Sequence, residues 1–515
     1  MDFFSIILIT CIIVLLFYIF LKRHFSYWDR IGLDYLEPRF FFGNTKSICD
    51  GVSMSDTFAN IYKEMKSRGY KHGGCYFFFK PIYIPIDLDI IKNIMLTDFE
   101  YFFNHGIYHN EEGEPMTAHL FSLENEKWRN LRKRLTPTFT SGKLKMMYST
   151  LFSCSNKLKE VLDQYAAIQD PVDIKDLMSR FTIEVIGSVA FGLNTNSIND
   201  TNSEFMQIAN KIFDSGPFWE RCKEIAIFML PQNFLKAIKF KFAHREVEDF
   251  FYNMIKRTVE YRETKNVFRK DFMHLLLQLK NRGKISEDNL ITRQEGEEKG
   301  PDSITIDEMV AQCFIFFAAG FETSATSLTF SLLELAINQD IQNRLRKEIL
   351  FTMEKNNGQL TYDAIMSMNY LEQVVSEALR KHSPGPLLPR VCTKNYKVPG
   401  TNVVIEKGTR VIIPAIAIHN DPEIYPNPDV FDPERFNEDN KAKRKSCSYL
   451  AFGEGPRYCI GFRFGMMQVK VGLAVILSNF RVNVHEKTQL PIKYAYTNAF
   501  ILGVDGGVWL SVSKL

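Results

Sequence analysis

Paired cysteines are missing from this 515-residue chain. Its nine cysteines (Cys11, Cys49, Cys75, Cys154, Cys222, Cys313, Cys392, Cys447 and Cys459) include no CxxC pair, and an odd, scattered set argues against a zinc cluster or a disulfide framework. Such thiols fit a reducing compartment. An excess of one charge is missing too. Lys and Arg number 63 against 60 Asp and Glu, and the resulting +3 creates no broad field for nucleic acid, which is not expected as a partner. There is no repeat of fixed period and no interior linker rich in Gly, Ser or Pro, so the body reads as one large domain.

Charge is absent altogether from Phe3 to Leu21, a run that stops at Lys22, Arg23 and His24. As a helix rising about 1.5 Å per residue it would reach roughly 28 Å, close to the ~30 Å hydrocarbon thickness of a bilayer. Asp2 stands where a signal peptide carries a basic region, and no A-x-A-like site follows, which favours a retained anchor over a cleaved leader. With Asp2 before the run and Lys22 and Arg23 after it, the positive-inside rule places the remaining chain on the cytosolic side. The expected organisation is an anchor over 1–24, a connector over 25–45 and a catalytic body over 46–515.

Ser26 to Asn44 mixes aromatic and charged residues around Pro38 and reads as a short connector near the membrane surface. Thr57 to Gly69 has helical periodicity. Cys75 to Ile86 is aromatic and strand-like, with Pro81 and Pro85 marking edges or turns. Apolar residues recur at three- and four-residue spacing through Lys143–Gln164, Asp173–Phe191, Phe242–Arg262 and Asp271–Lys280. Strand signals return in Lys397–Val411 and around Gln489–Ser513. The fold class expected is mainly α with small β-sheets. Ile225 to Phe242 is apolar but broken by Pro231 and dotted with Lys236, Lys239 and Lys241. It reads either as a core helix followed by a polar one, or as a second membrane contact in which Phe234, Ile238, Phe240 and Phe242 dip below snorkelling lysines.

Thr305-Ile306-Asp307-Glu308 has the form of a capping box, and the apolar run behind it predicts a long interior helix ending near Asn338. Mid-run sits AGFETS, Ala319 to Ser324. Gly320 costs about 1 kcal/mol there relative to alanine, and the buried Glu322 carboxylate needs hydrogen bonds. The bland reading is a satisfied core acid and a Thr323 hydroxyl bonded back to the Ala319 carbonyl. About 136 residues on, Phe452 to Gly461 reads FGEGPRYCIG. Gly453, Gly455 and Gly461 permit positive φ and close approach of backbone. If the loop is extended, Arg457 and Cys459 share a face, and amide donors with an arginine would hold the cysteine as a thiolate ready to ligate a metal. A small buried hydrophobe is the rival reading for any single cysteine.

Phe452, Gly455, Arg457, Cys459 and Gly461 match F-x-x-G-x-R-x-C-x-G, and AGFETS matches [A/G]-G-x-[D/E]-T-[T/S]. In that order the two resemble the haem-thiolate loop and acid-alcohol motif of the cytochrome P-450 superfamily. YWDRIG, AHLFSLENEKW, LTPTFTSGKLK and RKDFMHLLLQLKN look most similar to insect microsomal members of family six. The resemblance implies a cytochrome P-450 fold behind a single N-terminal transmembrane helix, and haem b ligated by Cys459, whose thiolate favours O–O cleavage. It implies that Gly320 leaves room for dioxygen, that Thr323 hydrogen-bonds it and that Glu322 relays protons. Trp128 and Arg132 resemble a W-x-x-x-R propionate contact, joined by Arg390 and Arg457, with Phe452, Gly453 and Gly461 framing the cofactor. Glu377, Arg380 and Arg435 resemble a buried E-R-R triad, and Phe121, Ile315, Ala319, Leu388 and Ile501 occupy pocket-lining regions. Asn104-His105-Gly106 departs from the family's Asp-Arg-Gly, and His382-Ser383-Pro384 from its Tyr-Pro-Pro.

The function implied is an NADPH- and dioxygen-dependent monooxygenase of lipophilic xenobiotics such as plant toxins or insecticides, on the cytosolic side of the endoplasmic reticulum membrane. A separate NADPH-cytochrome reductase would supply electrons, with cytochrome b5 and membrane lipid as further partners. The basic run Lys441 to Lys445 is a docking patch for an acidic donor or else a solvated face. Alternatives are oxidation of an endogenous lipid or hormone, a haem-thiolate isomerase or dehydratase using no external electrons, and a non-catalytic haem-dependent ligand sensor.

Overall fold

The structure is a computed structural model and describes residues 3–213, 218–285, 300, 303–495 and 501–515. Asp2 and residues 496–500 of the strand-like C-terminal stretch lie outside the described residues. The long helices run in chain order as α1 (Phe3–Phe25), α2 (Met54–Ser67), α3 (Asn125–Leu135), α4 (Ser141–Ile168), α5 (Ile174–Ile186), α6 (Glu204–Phe213), α7 (Phe218–Met229), α8 (Arg245–Lys265), α9 (Phe272–Arg282), α10 (Ile306–Ile337), α11 (Gln339–Lys355), α12 (Asn369–Lys381) and α13 (Phe462–Asn479). The strands are β1 (His72–Phe77), β2 (Lys80–Pro85), β3 (Val172–Asp173), β4 (Leu388–Val391), β5 (Tyr396–Lys397), β6 (Val404–Ile405), β7 (Arg410–Ile413), β8 (Phe480–Val484) and β9 (Trp509–Lys514). The chain divides into two compact units.

The first unit comprises residues 1–106, 387–419 and 445–457. Its main sheet has the order β1-β2-β7-β4, with β2 and β7 parallel and the outer pairs antiparallel. The aromatic stretch 75–86 is therefore not one strand. It turns on itself at Phe78, which takes φ +50°, and Pro81 lies opposite Tyr76 near the turn. The segment after α1 is built into this unit. Trp28 is fully buried, its Nε1 donates to the Cys75 carbonyl at 3.0 Å, and a Cβ on Gly74 would sit 2.4 Å from its ring. Leu33 and Leu36 are buried beside it, and the Asn44 carboxamide accepts from the Tyr76 amide at 2.8 Å. By contrast α1 is almost wholly exposed, with Leu21 buried where its last turns meet the sheet. Two described helices, α1 and α10, are long and apolar enough to cross a membrane, but α10 is mostly buried in protein.

The second unit comprises residues 107–386, 420–444 and 458–515. Its axis is α10, which starts at the capping box the sequence predicts: the Thr305 amide donates to Glu308 Oε2 at 2.7 Å and the Glu308 amide to Thr305 Oγ1 at 3.1 Å. Nearly every side chain from Phe321 to Ala336 is buried. Helix α5 packs along α10 closely enough that a Cβ on Gly320 would lie 2.7 Å from Ile186 Cδ1. That corrects the expected use of this glycine, since its missing side chain serves helix contact and not space for a ligand. A small sheet of order β3-β9-β8 closes one side.

Within this unit Glu377 of α12 is completely buried and held from three directions. Arg380 Nε and Nη2 donate to its two oxygens at 2.7 and 2.9 Å, the Asp432 amide donates at 2.9 Å, and Arg435 Nε stands 3.3 Å away. Both arginines also bind backbone, Arg380 to the Pro428 carbonyl and Arg435 to that of Asn427. Residues 225–242 divide by face. Phe228, Phe240 and Phe242 pack on Tyr108, Ile227 and Leu235, whereas Leu230, Phe234 and Ile238 are exposed. The four aromatic and aliphatic residues expected to dip together therefore point two ways.

Trp28→Ala opens a cavity under β1 and is expected to lower unfolding stability by about 3–5 kcal/mol, read as a shift of denaturant midpoint at unchanged slope. Glu377→Ala leaves Arg380 buried without its carboxylate and is expected to cost about 3–5 kcal/mol as well. A loss below about 1 kcal/mol in either variant would contradict the packing described.

Candidate functional site

Cys459 lies just before α13, whose N-cap is Gly461. Protein crowds the residue, yet its side chain keeps accessible surface, so the thiol lines a recess and is not a sealed core sulfur. Burial pushes the thiol up from its ordinary value, and the Gly461 and Phe462 amides and the Arg132 guanidinium offset this only in part. Burial thus works against the ready-made thiolate expected from the motif, and a cation at the sulfur would favour ionisation. The loop geometry differs from expectation as well. Gly453 and Gly455 take φ +73°, and a Cβ on Gly455 would meet the Met95 carbonyl oxygen at 2.1 Å, but Gly461 sits at φ −86°, open to any residue. Gly455–Arg457 forms a 3₁₀ turn and not extended backbone, and Arg457 directs its Nε to the Phe103 carbonyl at 3.1 Å.

Arg132 and the buried Trp128 share α3. The Arg132 Nη2 donates to the Tyr458 carbonyl at 2.8 Å, next to the cysteine in sequence, and burial lowers its pKa against the pull of Cys459. In the first unit Arg390, on β4, is buried with Nη1 on the Pro389 carbonyl at 2.8 Å, its Nε has no hydrogen-bond partner, and burial brings its pKa down to about 10. Among the described residues neither arginine has a carboxylate partner, unlike Arg380 or Arg262, which binds Asp271 bidentately. A cation drawn out of water without counter-charge is costly, and each guanidinium, taken within its own unit, suits a carboxylate brought by a ligand. Haem, with its propionates and its iron, suits the soft sulfur of Cys459 and the Arg132 guanidinium near it in the second unit.

On α10, accessibility peaks at Ala319, the only exposed residue between Met309 and Ala336, and Ile315 and Thr323 are partly accessible one turn to either side. The three form a stripe spaced by four on one helix face. Thr323 Oγ1 donates to the Ala319 carbonyl at 2.7 Å. Glu322 faces elsewhere, its carboxylate 2.6 Å from Lys175 Nζ at the start of α5. Exposed Phe121 lies in a loop tied to the same helix, where the Leu120 amide donates to Gln312 Oε1 at 3.0 Å. Ile501 is buried beside Leu502, whose amide donates to the Pro384 carbonyl at 3.0 Å. Leu388 on β4 and Phe452 belong to the first unit and are partly accessible. Lys175 and the Tyr458 carbonyl are the partners that sequence patterns did not announce.

Residues 34–507 match the family model described as Cytochrome P450. Cytochrome P450 6a2 of Drosophila melanogaster is 41% identical over 512 residues, 99% of either chain. Probable cytochrome P450 6a20 of the same fly is 40% identical over 499 residues, 96% of this chain and 97% of that one. A cysteine accessible at the head of a helix, a half-buried arginine beside it that lacks a carboxylate and this full-length likeness lead to one conclusion: the chain belongs to the cytochrome P450 family of haem-thiolate monooxygenases.

Proposed function

We propose that the chain inserts one oxygen atom of dioxygen into lipophilic small molecules, xenobiotics such as plant toxins or insecticides, with electrons drawn from NADPH. Family membership implies haem, a redox-partner reductase and a lipophilic substrate. The observation that carries the reading is the accessible Cys459 thiol beside a guanidinium that has no carboxylate of its own. Haem b, ligated there, supplies the reductive activation of dioxygen that no side chain can perform.

The protein's own share follows from the geometry. Trp128, Arg132, Arg390 and Arg457 are assigned to the propionates, which would supply the missing counter-charge, and Phe452, Gly453 and Gly461 to the faces and edge of the ring. Glu377, Arg380 and Arg435 form the structural triad that ties α12 to the segment around Asp432. Thr323 has committed its proton to Ala319, so its Oγ1 lone pairs act as acceptors that orient a protic group above the stripe. Glu322 exchanges protons through Lys175, which is partly open to solvent. Phe121, Ile315, Ala319, Leu388 and Ile501 are assigned to the substrate, and apolar contacts of this kind discriminate by only about 1–3 kcal/mol per methylene, which favours breadth.

In this reading residues 1–24 anchor a catalytic domain of 46–515 to the cytosolic face of the endoplasmic reticulum. Exposed Leu230, Phe234 and Ile238 rest in lipid. Lys443 and Lys445 are exposed and offer docking charge to the reductase or cytochrome b5. Lys441 leans on Glu438 at 3.1 Å, and Arg444 covers the Phe436 ring at 4.2 Å.

Reconstitution with reductase, NADPH and 7-ethoxycoumarin is expected to give oxygen-dependent product; turnover only with peroxide, or binding without product, would overturn the reading. Thr323→Ala is expected to consume NADPH while releasing hydrogen peroxide in place of product, measured as the ratio of the two. Arg390→Met removes a buried cation, so the haem-free protein should unfold at equal or higher temperature while haem retention falls about tenfold, roughly the worth of one charge-assisted hydrogen bond. Haem retention unchanged in that variant would remove Arg390 from the propionate set.

A further inference from the structure

His382 caps the end of α12 and, with Glu334, forms the buried centre of a polar cluster in the second unit. Its ring lies flat on Phe330 of α10, centroids 4.3 Å apart at 2°. Nε2 is 2.7 Å from Glu334 Oε1 on the same helix, and Nδ1 is 3.0 Å from the Tyr494 hydroxyl. Glu334 is also 2.8 Å from Lys381 Nζ. Since a carboxylate beside a lysine only accepts, Nε2 carries the imidazole proton, and Nδ1 is left to accept from Tyr494. Burial lowers the His382 pKa, in keeping with that neutral form.

Tyr494 opens a short antiparallel pairing. It bridges Val504, the Ala495 amide donates to the Gly503 carbonyl at 3.0 Å, and the Asp505 amide to that of Lys493 at 3.0 Å. The returning arm is tied to the same segment that follows His382, through the Leu502 amide on Pro384. Ile501 is next to that tie. One imidazole thus links α10, the helix with the accessible stripe, to the arm that carries Ile501.

We propose that His382 is a positioning residue for ligand selectivity: by bridging Glu334 to Tyr494 it sets where the 501–505 arm stands relative to α10, and so the shape of the space beside Ile501. The assignment rests on the reading of Ile501 as a ligand contact. His382 acts through Glu334 and Tyr494.

Three full-length variants test it. Tyr494→Phe deletes one hydroxyl, His382→Phe keeps the stacking on Phe330 but makes neither bond, and His382→Gln can still donate to Glu334 and accept from Tyr494. Deuterium exchange of the 501–505 amides is expected to rise about two- to tenfold in the first two, the worth of one hydrogen bond, and to return toward wild type in His382→Gln. The ratio of dissociation constants for 7-ethoxycoumarin and testosterone, measured by equilibrium dialysis, should move at least about twofold in the first two variants and be rescued in the third. Unchanged exchange in Tyr494→Phe overturns the positioning role, and changed exchange with an unchanged ratio overturns the role in selectivity. Neither readout requires turnover, so a chain that shows both effects and forms no product would refute the monooxygenase reading and leave this one standing.

Discussion

Close contact between α10 and α5 is the constraint on which the second unit depends. A helix of 32 residues buried along most of its length can carry a site only if its neighbours come near without filling the one accessible stripe. Gly320 solves the first half by letting Ile186 approach, and the Lys175–Glu322 pair serves the second by tying the carboxylate to α5. The stripe that remains is small and apolar except for Thr323. Its character comes from what the helix has spent elsewhere.

The same logic of deliberate imbalance marks the arginines. Where the chain needs rigidity, as at Glu377 or Asp271, a buried guanidinium has its carboxylate within hydrogen-bond distance. Arg390 is fully buried and Arg132 half-buried, and both are left with backbone carbonyls. Such sites are strained until an anion arrives, so their cost in the protein alone is recovered as ligand affinity.

Features that rest on spacing within a few residues were legible in the sequence. The capping box, the E-x-x-R pair and the W-x-x-x-R pair each place both partners on one turn of helix, and the periodicity of α4 and α9 gave their limits to within a few residues. What escaped was set by tertiary distance or by a turn without its usual residues. Glu322 and Lys175 are 147 positions apart, and nothing local foretells their pairing. The hairpin at Phe78 was hidden because an aromatic residue occupies a left-handed position where glycine or asparagine would have signalled the bend. Around Cys459 the donors were visible in the motif but the burial opposing them was not.

Trp28 stands three residues beyond the end of α1 and is locked under β1. A leash that short has no slack. Were α1 to sit in a bilayer, the first unit would be tied closely to it by this short link. The position of the helix end and that of the sheet would then be one variable and not two.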